Sequence, residues 1–166
     1  MSQRLRLPKR KAPALTVGQI EPEVILARLQ AMRKYLQRLK QFESLTFEEY
    51  QNDFDTQLVT ERLIQLCTEA ALDINKYLFA KLGLITSKQE LTNKEYFLNA
   101  IAHGILTKET GETLANAAGM RNILVHLYLD IENYQVFLAI EKCLKYYPVY
   151  MREILDYIDQ LEEGND

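Results

Sequence analysis

The chain has 166 residues, of which 48% are hydrophobic and 26% are charged. This length is enough for one domain with its own core, and the low counts of glycine and proline, 6 and 4, argue against a turn-rich β fold. No apolar run reaches the roughly 18 residues that a membrane span needs, so we expect a soluble cytoplasmic protein without a membrane partner.

The net charge of −3 is divided unevenly along the chain. Residues 1–20 contain five basic side chains and no acidic one: Arg4, Arg6, Lys9, Arg10 and Lys11. They lack the apolar stretch of a signal peptide, and the other residues together carry −8. We predict that residues 1–20 form a flexible basic arm. It either binds the phosphates of RNA or is a solvated tail. Residues 21–166 are predicted to form the folded domain.

Apolar residues recur with the spacing of an α-helix nearly throughout the chain. The predicted helices run over 22–42, for a short turn from the capping residue Thr46, over 54–82, over 94–103, from Thr107 through residue 128, and from Asp130 onwards. Gly83 is a plausible helix stop, and Pro148 should kink or interrupt the last helix. No segment alternates with the period of a strand. We therefore predict an all-α bundle of about four main helices with short connections.

Outside residues 121–128, few side chains suggest a catalytic or metal-binding role. Cys67 and Cys143 lie in apolar helical patterns without paired spacing and are predicted to be buried, reduced thiols. His103, next to a glycine, resembles a helix-capping histidine. It is 23 residues from the only other histidine, His126, so no metal site is predicted. No glycine-rich phosphate loop is present, so no nucleotide cofactor is expected.

Residues 121–128 read Arg-Asn-Ile-Leu-Val-His-Leu-Tyr. On a helix, Asn122 and His126 are i,i+4 neighbours, and Arg121 and Tyr128 nearly eclipse, so the four polar groups should converge on one side. A fixed cation beside a group that titrates near neutral pH suits chemistry on a phosphate ester. The alternative is a structural histidine and a salt-bridged arginine. Because burying such groups unpaired would cost about 1–3 kcal/mol each, we favour a cleft or interface.

Three acidic residues lie on or near one face of the second long helix. Glu61, Glu69 and Asp73 could reach the 121–128 segment, or they could be solvated surface charges or a partner for Arg121.

The octapeptide resembles the R-N-x-x-x-H-x-Y motif of HEPN domains. Within that group the chain is similar to the HepT toxins, whose partners are nucleotidyltransferase antitoxins of the MNT type (MntA). The likeness extends to the flanking segments 61–66, 70–74, 116–121 and 129–131, and it covers roughly residues 22–161. The basic arm lies outside it.

The resemblance implies a helical bundle that forms a homodimer with two motifs facing one cleft, and it implies metal-independent cleavage of RNA. By position in the motif, Arg121 and His126 would be the catalytic pair, and Asn122 would help to shape the site. Tyr128 would be the tyrosine that the antitoxin AMPylates.

The chemistry of RNA agrees with this assignment. Neutral His126 could take the proton of the 2′-OH, and Arg121 could bind the non-bridging oxygens as charge develops on the phosphorus. Loss of the 5′-oxygen leaves a 2′,3′-cyclic phosphate. The general acid stays open: it could be the partner subunit's His126 or water, and in the first case activity requires the dimer.

Two other functions remain as alternatives. The chain could be a non-catalytic RNA- or nucleotide-binding module that serves a nucleotidyltransferase, although such relatives would be expected to lack the arginine or the histidine, which this chain retains. It could also be a purely structural bundle. If RNA is the substrate, it could be tRNA or mRNA. Because binding depends on the local charge of a basic cleft, the affinity for RNA should depend strongly on salt despite the net charge of −3.

Overall fold

The computed structural model describes residues 20–86, 88–126 and 133–164, and for residues 120–126 it describes the backbone alone. Within these ranges the chain forms helices and no strands, which confirms the predicted all-α class. The helices are α1 (Pro22–Leu39), α2 (Phe47–Asn52), α3 (Phe54–Lys81), α4 (Asn93–Ala102), α5 (Lys108–His126) and α6 (Asn133–Glu163), with a 3-10 turn at Lys40–Phe42. No helix among the described residues is both long and apolar enough to cross a membrane.

The long helices α1, α3 and α6 pack on one another around a single core, and α4 packs against α5. The apolar stripe predicted for the first helix is its buried face: Ile25, Leu29, Met32, Leu36 and Leu39. Burial of this stripe stabilises the bundle in proportion to the apolar area that leaves water. The predicted period therefore identified the core side of α1 correctly.

Local capping signals fix several helix ends where they were predicted. The Thr46 hydroxyl accepts from the backbone N–H of Glu49 at 3.2 Å, and the Glu49 carboxylate accepts from the backbone N–H of Thr46 at 2.8 Å. The same reciprocal pair joins Thr92 and Glu95 at the start of α4. At the end of α3, Gly83 has φ +64°, a left-handed conformation that glycine adopts without strain.

Pro148 was predicted to kink or interrupt the last helix, and the interruption is wrong because α6 continues through it. The residues on either side of the proline are held against α3. The Tyr147 hydroxyl lies 2.7 Å from Thr68 Oγ1, and the Tyr150 hydroxyl lies 3.0 Å from the Ala71 carbonyl oxygen. Both rings are fully buried. These contacts hold both halves of α6 on one partner and offset the loss of a helical hydrogen bond at the proline.

Helices α5 and α6 form an antiparallel hairpin that one carboxylate closes. Glu153 of α6 accepts hydrogen bonds from the backbone N–H of Thr107 at 3.1 Å, from the Thr107 hydroxyl at 2.7 Å and from the Thr110 hydroxyl at 3.0 Å. We call these three bonds the Glu153 clasp. It satisfies part of the unpaired N-terminus of α5 and so fixes the start of the helix that carries the 121–128 segment.

Candidate active site

The helical part of the 121–128 segment is the last turn and a half of α5. The backbone of α5 is helical through His126, so the prediction that Asn122 and His126 stand one turn apart on a helix is confirmed for the backbone. The side chains of Arg121, Asn122 and His126 are not described, and Tyr128 lies outside the described residues. Convergence of the four polar groups therefore stays a prediction.

A cleft of about 360 Å³ lies between α5 and α6, beside this segment. Its floor is formed by buried, mostly apolar residues: Ile64, Leu114, Ala139, Cys143 and Tyr147. Its rim carries polar groups: Thr113, Asn116, Gln135, Lys142 and Tyr146. An apolar floor with a few polar groups around it is the usual composition of a ligand site.

Helical geometry places the motif next to the end of the cleft. Thr113, Ala117 and Arg121 follow one another at intervals of four residues, about 6 Å each along the axis of α5, and therefore share one face of the helix. Thr113 and Ala117 line the cleft. The backbone position of Arg121 is thus the next step along the same face, beyond the end of the cleft.

The sequence did not single out the rim residues. On α6, Gln135, Lys142 and Tyr146 fall on one helical stripe, a spacing that also describes an ordinary packed face. Asn116 was noted only as a neighbour of the motif. Asn116, Gln135 and Lys142 are distinguished by having no partner across the α5–α6 contact among the described residues, and a sequence does not contain that information.

The three acidic residues of α3 have different environments. Asp73 pairs with Arg28 of α1, with Oδ2 and Nε 3.8 Å apart, so it acts as a surface charge with a local partner. Glu69 is partly buried. Glu61 is also partly buried, and desolvation raises the pKa of its carboxyl group. Glu61 precedes Ile64, a floor residue of the cleft, by about one helical turn.

The other candidate residues have structural roles. His103 caps the C-terminal end of α4 and places its ring edge-on to Phe79, with 5.7 Å between the ring centroids, which confirms the capping prediction. Cys67 and Cys143 are free and buried, as predicted. Burial raises the pKa of the Cys67 thiol to about 12, so this thiol is protonated at neutral pH.

Among the described side chains, no set of three or more His, Cys, Asp or Glu residues is placed to hold a metal ion.

Comparisons with known proteins point to one family. Residues 32–158 match the family model described as Ribonuclease HepT-like. The chain is 45% identical over 147 residues to the tRNA nuclease HepT of Aphanizomenon flos-aquae, a match that covers 89% of this chain and 98% of the relative.

Solved structures show the same fold at low sequence identity. The tri-AMPylated HEPN toxin of Shewanella oneidensis, in complex with its MNT antitoxin, superposes with a TM-score of 0.71 at 19% identity and covers 81% of this chain and 98% of that one. YutE, a cytosolic protein of unknown function from Bacillus subtilis, gives a TM-score of 0.70 at 17% identity, covering 85% and 92%. These structures support the fold, and the family match supports the enzyme class. The chain therefore belongs to the ribonuclease HepT-like family of HEPN proteins and is a ribonuclease.

Proposed function

We propose that this protein is the toxin of a toxin–antitoxin pair and cleaves RNA internally without a metal ion. The observation that carries the proposal is the complete Arg121-Asn122-x-x-x-His126-x-Tyr128 motif inside the segment that matches the ribonuclease family model. A relative at 45% identity is a tRNA nuclease, which makes tRNA the first substrate to test. The Shewanella protein of the same fold is a toxin found with an antitoxin.

The proposed reaction uses the nucleophile that RNA itself carries. The 2′-oxygen attacks the adjacent phosphorus while His126 takes the 2′-OH proton, and the bond between phosphorus and the 5′-oxygen breaks. Arg121 binds the non-bridging oxygens, where negative charge develops, and Asn122 supports the site. The products are a 2′,3′-cyclic phosphate and a 5′-hydroxyl, whose proton comes from the partner subunit's His126 or from water.

A homodimer would complete this site. Each chain supplies one motif histidine, because the only other histidine caps α4. Two copies whose motifs face each other across the dimer contact would supply both a general base and a general acid. Two copies would also double the local positive charge of Arg121, which offsets the net charge of −3 per chain where the phosphates bind.

Tyr128 is the proposed point of control. We propose that an MntA-like nucleotidyltransferase antitoxin attaches AMP to its hydroxyl group. The added phosphate charge and bulk beside Arg121 would occupy the substrate phosphate site and repel RNA. The AMPylated state of the Shewanella toxin supports this type of regulation.

The basic arm and the domain boundary are a further part of the proposal, with residues 1–20 as the arm and 21–166 as the catalytic domain. The backbone N–H of Glu21 donates to the Tyr77 hydroxyl at 2.8 Å. Tyr77 follows Ile64, at the floor of the cleft, by 13 residues or about 20 Å of α3. The arm therefore joins the bundle far from the motif.

The first test is cleavage of mixed cellular RNA in EDTA by protein purified without a partner. We expect the wild type to produce 2′,3′-cyclic phosphate ends, since neither its nucleophile nor its base requires a metal. We expect His126→Ala to lose about 10²–10⁴-fold in rate. The rate and the new 3′ ends are measured together.

The controls separate loss of chemistry from loss of fold. The wild type and His126→Ala should have the same helical circular dichroism and the same oligomeric state in solution. Mass spectrometry should show that Tyr128 is unmodified. If a folded, unmodified wild type cleaves no RNA, the nuclease proposal is wrong and the non-catalytic binding module replaces it. Cleavage that disappears in EDTA would contradict the metal-independent mechanism.

The second test concerns Tyr128. We expect Tyr128→Phe to keep most of the cleavage rate, because the hydroxyl has no role in the proposed reaction, and to resist silencing by the nucleotidyltransferase and ATP. Residual cleavage and the mass added to each protein are measured after incubation. Covalent AMP on the phenylalanine variant, with loss of activity, would show that another residue is the acceptor.

A further inference from the structure

The cleft between α5 and α6 contains polar side chains that the fold does not use. Within the described part of the chain, the side chains of Asn116, Gln135 and Lys142 make no hydrogen bond and no ion pair. All three are exposed. Helix packing needs none of them, so their amide and ammonium groups are available to a ligand.

One side of the cleft is held rigidly. The Tyr146 hydroxyl donates to Glu109 Oε1 at 3.0 Å, and the Lys145 ammonium lies 5.1 Å from the centre of the Tyr146 ring. These contacts restrict the ring, which also lines the cleft. This part of the cleft therefore does not need to reorganise when a ligand enters, which reduces the entropy lost on binding.

The chemistry of the lining matches one nucleotide. The apolar floor suits the face of a base, and the amides of Asn116 and Gln135 each offer a donor and an acceptor to its edge. Lys142 offers a cation for a phosphate. The Glu109 carboxylate at the Tyr146 side disfavours a second phosphate there, so the sugar–phosphate chain should leave towards the motif.

The volume and the position narrow the identity of the ligand. A cleft of about 360 Å³ is near the lower end of the range for small-molecule sites and is too small for a helix of a partner protein, which is about 10 Å across. The cleft ends one helical turn before Arg121. An RNA strand with one phosphate bound at Arg121 would place the neighbouring nucleotide at the cleft.

We propose that the α5–α6 cleft is a specificity subsite that binds one unpaired nucleotide next to the scissile phosphate. This inference rests on the proposed ribonuclease function. Asn116 and Gln135 read the edge of the base, and Lys142 holds the backbone. Because a base buried against the floor must be unstacked from its neighbours, the enzyme should prefer single-stranded or frayed RNA at this position.

The test compares cleavage-site profiles on a single-stranded RNA pool with randomised sequence. Wild type is compared with Asn116→Ala, Gln135→Ala and Lys142→Ala. Lys94→Ala and Gln160→Ala are the matched controls: they remove an exposed lysine and an exposed glutamine that do not line the cleft.

We expect a base preference at one position beside the cut. The two amide variants should flatten it and lower kcat/KM on the preferred sequence about 5- to 150-fold, the range for losing a base-edge contact. Lys142→Ala should weaken binding to all sequences alike and reduce the slope of log affinity against log salt by about one. The two controls should retain the wild-type profile and rate.

The readouts keep this proposal separate from the nuclease proposal. If wild type cuts RNA and the three cleft variants retain its profile, rate and salt slope, the subsite is overturned and the nuclease stands. If wild type does not cut, fluorescence anisotropy with a labelled single-stranded hexanucleotide decides: weaker binding by the cleft variants supports the subsite, and unchanged binding overturns it. If a cleft variant changes the oligomeric state of the protein in solution, the cleft is a contact between copies and the subsite is overturned.

Discussion

Two sets of polar side chains on α6 are used in opposite ways. Towards α3, the Tyr147 and Tyr150 hydroxyls are buried and bonded across the core to Thr68, Ala71 and Asn75. Towards α5, Gln135 and Lys142 are exposed and have no partner among the described residues. The first arrangement stabilises the packing of two helices, because unmade hydrogen bonds in a core are costly. The second leaves groups for a ligand.

This difference could not be seen in the residue types. Tyrosines occur on both faces, and both faces repeat with the same helical period. The partners across each contact decide which polar group belongs to the core and which to a site. Three experiments, from the largest expected effect to the smallest, test the core, this division and the packing of α5.

Alkaline pH should destabilise the protein through its core. Burial raises the pKa of Cys67 from 9.0 to about 12 and also raises that of Cys143. Above pH 9 the unfolded thiols lose protons that the folded ones keep, so the unfolded state binds fewer protons and stability falls with rising pH. We expect a loss of up to about 1.4 kcal/mol per pH unit for each cysteine between pH 9 and 12, and no cysteine contribution below that range.

The measurement is the free energy of unfolding in urea at pH 8, 9 and 10. The double variant Cys67→Ala/Cys143→Ala should be less stable at every pH because of the cavities, but it should lose less stability per pH unit. Only this slope is compared. An identical slope in both proteins would show that the core thiols do not titrate on unfolding.

Tyr150 on α6 and Asn116 on α5 test the packed contact and the cleft directly. Removing the Tyr150 hydroxyl with Phe leaves Asn75 Oδ1 without its donor, and Asn75 Nδ2 already lacks a partner among the described residues. We expect this change to lower the free energy of unfolding by about 1–3 kcal/mol. Asn116→Ala should change it by no more than about 0.5 kcal/mol. Equal losses in urea titrations would contradict the assignment of Asn116 to a site rather than to packing.

Two glycines of α5 provide the finest test. A Cβ atom at Gly111 would overlap the Ile101 side chain and lie 3.2 Å from the Phe97 carbonyl oxygen, whereas one at Gly119 would meet nothing within 4 Å. At Gly111, overpacking at about 1–3 kcal/mol outweighs the roughly 1 kcal/mol that alanine contributes to a helix. We expect Gly111→Ala to lower the melting temperature and Gly119→Ala to raise it slightly. The reverse order would mean that α4 and α5 do not cross at Gly111.

Features that depend on neighbours in sequence were predictable. The capping boxes at Thr46 and Thr92 lie within four residues of chain, and the stripe of α1 follows from one helical period. The location of the motif was also predictable, because its residues are contiguous. Their chemistry was assigned largely through the resemblance to HEPN ribonucleases, since an arginine and a histidine on a helix are compatible with structural roles.

Features that depend on tertiary contacts were not predictable. Pro148 lies in a continuous helix because Tyr147 and Tyr150 are held by α3, and that contact joins residues 79 apart in the chain. The α5–α6 cleft requires the two helices to be placed side by side before its rim residues become neighbours. Glu153 was not identified as a capping residue, since it lies 46 residues from Thr107.

The Glu153 clasp also links the cleft to hydrogen exchange at the far end of the hairpin. The amide hydrogen of Thr107 is bonded to Glu153, and we expect it to exchange with deuterium when this bond breaks as the α5–α6 hairpin opens. A ligand in the cleft binds the closed hairpin and has no site on the open one, so it lowers the open population. RNA bound near the motif should therefore slow deuterium uptake at Thr107 without touching that residue.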